Sequence, residues 1–230
     1  MLGSMLDIES LTQQAIRRQL AAMPNKLYLI RLIHSVERKP APAKRLWTAE
    51  ELARDRVVHS LRGDNRLGFN VYLWPYAEGR NAGYILLDLD HARPHVLEDM
   101  RIHGHEPCVV LETSPGHLQA WVRVSTTPLE PALATTLGRI LAERYGGDRA
   151  STDWRHLGRL AGFSNLKPAT WRSWVLRLRS TLSMLSGSWP LTSDFRNFER
   201  VLGTGSSSRD RSRRPYLDLL FSRPAPLGQS

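Results

Sequence analysis

The chain has 230 residues, enough for one compact domain with a tail or for two small domains. A hydrophobic fraction of 41% can build a core, and 23% charged residues with a mean hydropathy of −0.35 describe a soluble globular protein, not a membrane one. Cys108 is the one cysteine, which excludes a disulfide framework and a cysteine-based zinc site. The balance of 32 Lys+Arg against 22 Asp+Glu, a formal +10, fits either a polyanionic partner or plain solubility.

In chain order, residues 8–22 (IESLTQQAIRRQLAA) carry apolar positions at helical spacing and stop at Pro24-Asn25. Residues 27–36 (LYLIRLIHSV) read as a strand, followed by the Pro-rich loop KPAPAK. Thr48-Ala-Glu-Glu51 is a capping-box pattern, so a second helix is expected from about Ala49 until Gly63-Asp-Asn breaks it. Residues 69–75 and 83–89 read as strands joined by a polar loop. Pro94 opens a helix to about His103. Residues 108–113 and 118–124 form another strand pair, and residues 130–144 a helix stopped by Gly146-Gly147. Residues 153–167 lack clean periodicity, and 171–179 read as a late strand. The stretch after 203 (GTGSSSRDRSRR) reads as a basic, disordered tail. Residues 172–230 hold ten Lys/Arg against four Asp/Glu. Strands interleaved with helices, with hairpins among the strands, predict an α+β fold with one sheet backed by helices.

Three constellations carry possible chemistry. Along strand 83–89, period 2 puts Ile85, Leu87 and Leu89 on one face and Tyr84, Leu86, Asp88 and Asp90 on the other. Two carboxylates about 7 Å apart on one face repel, and a divalent cation relieves that repulsion. The alternative is an ordinary acidic strand end. Next, Ser114-Pro-Gly-His117 fits a type II turn, with Pro second and Gly third. In the strand after it, Leu118, Ala120, Val122 and Val124 face the core. His117, Gln119, Trp121 and Arg123 share the opposite face, which suits a nucleotide or is simply a solvated face. Finally, DWRHLGRLAGFSNLK sets Asp153 among Arg155, His156, Arg159, Asn165 and Lys167: a third metal ligand with phosphate-binding cations, or surface ion pairs. A P-loop and a GxGxxG are both absent, which argues against an ATPase motor or a Rossmann cofactor site.

Taken together, LLDLD, SPGH and the later Asp153 resemble the archaeo-eukaryotic primase superfamily, and most closely the RepB-prime-type replication primases of mobilisable plasmids. EPCVVLETSPGHLQAWVRV is similar to that family's central hairpin, and Arg-Leu-Ala-Gly-Phe-x-Asn is its distinctive segment. The resemblance runs from about residue 13 to 180 and implies an RRM-like mixed or antiparallel sheet flanked by helices. Residues 1–180 would be the catalytic domain, 181–202 a short extension and 203–230 the tail. It also implies short primers made on single-stranded DNA from NTPs or dNTPs, for plasmid or mobile-element replication. Asp88, Asp90 and Asp153 would be the catalytic residues and would hold two Mg²⁺ or Mn²⁺ ions, without zinc. His117 would contact the triphosphate, with Ser114 shaping the turn. Beyond what the resemblance implies, the charged segment itself offers Arg159 and Lys167 as phosphate contacts. Trp121, Arg123, Arg155, Arg211, Arg213 and Arg214 would hold nucleic acid.

A replicative helicase is a candidate partner. The opening MLGSMLDIES has no basic n-region before an apolar stretch, so the expected location is the bacterial cytoplasm. Three other readings stand beside the primase: a binding module without catalysis, another metal-dependent phosphoryl enzyme such as a nuclease or terminal nucleotidyltransferase, and a degenerate primase remnant.

Overall fold

The computed structural model describes residues 2–41, 45–90 and 95–166 and the backbone of 177–178; of residues 2–9 only the backbone is described. Helix α1 (Leu2–Ala22) contains the predicted amphipathic segment. Ile16 and Leu20 on one face, and Met23 beyond its end, are buried. The turn into strand β1 (Leu27–His34) is pinned by side chains: Asn25 Nδ2 donates to the carbonyls of Leu27 and Tyr76, and the Tyr28 hydroxyl donates to Met23 O. The capping box forms, with Thr48 Oγ1 accepting from Glu51 N at 3.2 Å and the Glu51 carboxylate accepting from Thr48 N at 3.0 Å. The helix it opens, α2 (Ala49–Leu52), is a single turn. Helix α3 (Asp55–Arg66) then runs through Gly63-Asp-Asn instead of breaking there. Burial of Val57, Val58 and Leu61 holds it, and Asn65 Nδ2 ties its end to the carbonyls of Phe69 and Ser164.

The strands form two sheets where one was expected. The first has the order β2 (Arg45–Trp47), β1, β3 (Phe69–Ala77), β4 (Arg80–Asn81), and β8 (Gly158–Arg159) also pairs with β3. The second has the order β5 (Tyr84–Leu89), β7 (His117–Arg123), β6 (Val109–Ser114), β9 (Arg177–Leu178). Every pairing in both is antiparallel. The chain changes sheets between β4 and β5, at Gly83. Its φ is +86°, and an added Cβ there would lie 2.3 Å from Ser125 O. Asn81 braces this corner: its Oδ1 accepts from the amides of Gly83 and Tyr84, and its Nδ2 donates to the carbonyls of Tyr84 and Trp154.

Both faces of the second sheet are covered. On one, Ile85, Leu87 and Leu89 are buried, and α5 (Pro131–Tyr145) packs on β5. Helix α4 (Val96–Ile102) buries Val96 and Met100. On the other face, Tyr84, Leu86, Val109, Leu111 and Trp121 join one core with α1, α3 and the first sheet. The predicted stop of α5 is observed, with Gly146 left-handed at φ +74°. Of the late strand, only Arg177–Leu178 is described, pairing with β6. The expected boundaries at 180 and 202 lie outside the described residues. Among the described residues, no helix is long and apolar enough to cross a membrane.

Candidate active site

A cavity of about 370 Å³ opens where the two sheets meet. Ile33 and Tyr72 line it from the first sheet, and Asp88, Thr113 and Gln119 from the second. The segment leading into β8 adds Asp153, Arg155, His156, Leu157 and Arg159. Asp88 sits near the end of β5, opposite Gln119 in register. Its carbonyl accepts from Asp148 N at 2.9 Å. Asp148 in turn caps the 3-10 turn Arg149–Ser151 through Ala150 N. One backbone bond thus fixes the strand end to the turn that delivers Asp153, and two carboxylates distant in sequence share a pocket.

The pocket mixes signs. The Asp153 carboxylate accepts from Arg155 N at 2.8 Å, and His156 N donates to Asp153 O at 2.9 Å. Burial holds the His156 imidazole below the ordinary histidine range, against the opposing pull of Asp88, Asp153 and Asp148. Arg155 is exposed, 4.9 Å from the Trp154 ring centroid. Arg159 is buried against Tyr72, its guanidinium 4.5 Å from that ring centroid. Burial lowers its pKa, and Asp88 acts against that shift.

Other expected site residues stand elsewhere. Asp90 is exposed and does not line the pocket: its Oδ1 meets His117 Nδ1 at 2.6 Å. The pair sits at the mouth of the β6–β7 hairpin, whose Pro115-Gly116 turn has Gly116 at φ +77°, as a type II turn requires. Ser114 pairs with His117 across this turn, and neither lines the cavity; their neighbour Thr113 does. Trp121 is a correction. It is 1% exposed and packs over Gly158, where an added Cβ would lie 2.5 Å from the ring, so no base can stack on it. The alternation placed Trp121 on the right face, but that face is interior. Arg123 is exposed at the far end of β7, roughly 20 Å from His117 along the strand, with its guanidinium 5.8 Å from the Tyr84 ring centroid. Lys167, Arg211, Arg213 and Arg214 lie outside the described residues.

Among the described residues, no three His, Cys, Asp or Glu side chains are grouped as a metal cage. Asp88 and Asp153 nonetheless suit a hard divalent ion that keeps waters and takes further oxygens from phosphate. Nothing in the sequence marks Tyr72 or Thr113, which stand in otherwise plain strands. His156 and Asn165 stand out in the sequence only as members of a charged segment.

Fold and pocket together define an α+β protein whose two antiparallel sheets share one cleft of acids and arginines. Residues 72–181 match the family described as the RepB DNA-primase N-terminal domain. Over 170 residues the chain is 38% identical to Mobilization protein A of Escherichia coli, covering 72% of this chain and 23% of that protein. It superposes on primase RepB′ with a TM-score of 0.68 and 34% identity, covering 84% of this chain and 62% of that one. The catalytic domain of primase RepB′ in complex with initiator DNA gives the same TM-score of 0.68 at 33% identity, covering 84% of this chain and 94% of that one. The chain belongs to the RepB primase family. It spans less than two thirds of the length of the first two of these relatives.

Proposed function

We propose that the chain is the catalytic core of a plasmid or mobile-element DNA primase, which joins NTPs or dNTPs into short primers on a single-stranded DNA template. The observation that carries this reading is the meeting of Asp88 and Asp153 with Arg155 and Arg159 in one pocket. A ligand that pairs a divalent cation with phosphates matches a wall holding both acids and arginines, whereas a plain binding groove for DNA gains nothing from the acids.

Asp88 and Asp153 would hold Mg²⁺ or Mn²⁺. Such ions, when bound, lower the pKa of the attacking 3′-hydroxyl and neutralise the triphosphate and the leaving pyrophosphate. The chain's own share is positioning. Neutral His156 adds no positive charge beside the two acids. Tyr72 and Ile33 form the apolar side of the cavity, against which a base or sugar can rest. Exposed Arg155 at the mouth meets the backbone of the incoming strand. Asp90 orients His117 by holding Nδ1, so that the imidazole presents a set edge to substrate at the hairpin.

The test is primer synthesis by the full chain on circular single-stranded DNA with labelled NTPs or dNTPs and Mg²⁺ or Mn²⁺. Short products that vanish in Asp88→Ala are expected. No product with either metal, together with salt-sensitive single-strand binding by both proteins, overturns the reading in favour of a binding module.

A further inference from the structure

Arg159 is 3% exposed, and the groups that fix it are neutral. Its backbone amide donates to Gln119 Oε1 at 2.8 Å, and its carbonyl accepts from Gln19 Nε2 at 3.1 Å. Its Nη2 donates to Asn165 Oδ1 at 2.9 Å. Its Nη1 is buried with no hydrogen-bond partner. A buried guanidinium left with an unmatched N–H is costly unless something supplies the missing acceptor. The residue belongs to the wall of the cavity that also holds Asp88 and Asp153.

Asn165 is the other half of the arrangement. It is buried, and its Nδ2 donates to Thr113 O at 2.7 Å while its Oδ1 takes Nη2 of Arg159. Only a side chain with a donor and an acceptor side by side can serve a carbonyl and a guanidinium at once, which an amide does and a carboxylate does not. The chain between the two residues is shaped to bring them back together. Leu160, Ala161 and Phe163 are buried. Gly162 turns at φ +89°, where an added Cβ would lie 2.9 Å from Thr12 Cα, and Ser164 N donates to Asn65 Oδ1.

We propose that Arg159 is the pocket's receptor for a phosphate group and that Asn165 is its positioning residue, occupying Nη2 so that Nη1 is left for the anion. This rests on the nucleotide reading of the pocket and deepens it, by naming the buried cation that takes phosphate and the amide that aims it.

The test is a double-mutant cycle on the full chain, read as calorimetric affinity for inorganic tripolyphosphate with Mg²⁺ present. Arg159→Gln and Asn165→Ala are each expected to weaken binding at least tenfold. The double variant is expected to bind no more weakly than Arg159→Gln alone, because aiming an absent cation is worth nothing. Additive losses overturn the proposal, as does wild-type affinity in a folded Asn165→Ala. Should Asn165→Ala fail to fold, Asn165→Asp of nearly equal volume replaces it. Its carboxylate neutralises the guanidinium and loses the bond to Thr113, so tripolyphosphate affinity is expected to fall at least tenfold while single-strand affinity stays within twofold; retained affinity overturns the proposal. A wild-type chain that binds no tripolyphosphate also overturns it and leaves the primer assay to judge the function separately. Non-additive binding in a chain that makes no primers sustains this inference and removes the proposed function.

Discussion

Two aspartates separated only by Leu89 end with different neighbours. Asp88 is half-buried in the cavity, and its carbonyl is anchored to Asp148. Asp90, just past the strand end, is exposed and bonded to His117. Period 2 alone makes them equivalent; the end of the β-ladder at Leu89 separates them. Their substitutions should therefore differ. Asp88→Asn and Asp153→Asn are expected to lower the initial rate of primer synthesis by more than about 10²-fold, as loss of transition-state charge stabilisation does. Asp90→Asn, acting through His117, should cost about tenfold and match His117→Gln, a loss of the size seen when a group that orients an active side chain is removed. Equal losses at Asp88 and Asp90 would return Asp90 to the ligand set.

At the scale of elements, β8 is held by Trp121 from the second sheet. Gly158 admits that indole, and an added methyl group meets the ring at 2.5 Å. Gly158→Ala is expected to destabilise the protein by about 1–3 kcal/mol, the usual cost of overpacking, measured by urea denaturation. A second element-level prediction concerns the α4–α5 side. His105 is 3% exposed and bonded through Nδ1 to the Tyr145 hydroxyl at 2.6 Å, and its Nε2 has no partner. Burial, aided by Arg144 and His103, holds its pKa down at about 4. Between that value and the ordinary histidine pKa of about 6.5, the unfolded chain binds more protons than the folded one. Stability is therefore full above about pH 6.5 and falls as pH drops toward 4, by up to about 3 kcal/mol from this group. His105→Phe should flatten that part of the pH–stability curve; an unchanged slope would assign it to other groups.

Much of the element pattern was legible in the sequence, because its signals are local. The Thr48–Glu51 capping box, the Pro115-Gly116 turn and the Gly146 stop each need only neighbours in the chain. The early end of α2 was not legible, nor was the run of α3 through Gly63, since burial of Val57, Val58 and Leu61 outweighs the glycine's low helix propensity.

For the whole molecule, the class was readable and the layering was not. Alternation along β7 says which residues share a face. It does not say that the face carrying Gln119 and Trp121 is covered by another sheet, because that cover comes from segments far away in sequence. The pocket was half legible for the same reason: Asp153 and Arg159 stood in a marked motif, but Tyr72 reaches them only through the pairing of β3 with β8. Net charge acts at this scale too. With a formal +10, single-strand affinity should fall steeply with salt. Replacing Arg211, Arg213 and Arg214 together with Ala is expected to reduce the slope of log K against log salt by roughly 2, at about 0.7 for each phosphate no longer neutralised. An unchanged slope would place the strand wholly on other cations.

Gln119 gives the cleft a fixed width. It belongs to an inner strand of one sheet, and its amide oxygen grips the backbone of Arg159 in a strand of the other. A side chain of set length between two backbones works as a strut, and on the far side of Arg159 a second glutamine, Gln19 from α1, grips the carbonyl of the same residue. Bracing of this kind sets the spacing of the two walls for as long as both glutamine bonds stand. On the proposed reading, nucleotide and strand would enter at the mouth, past exposed Asp153 and Arg155.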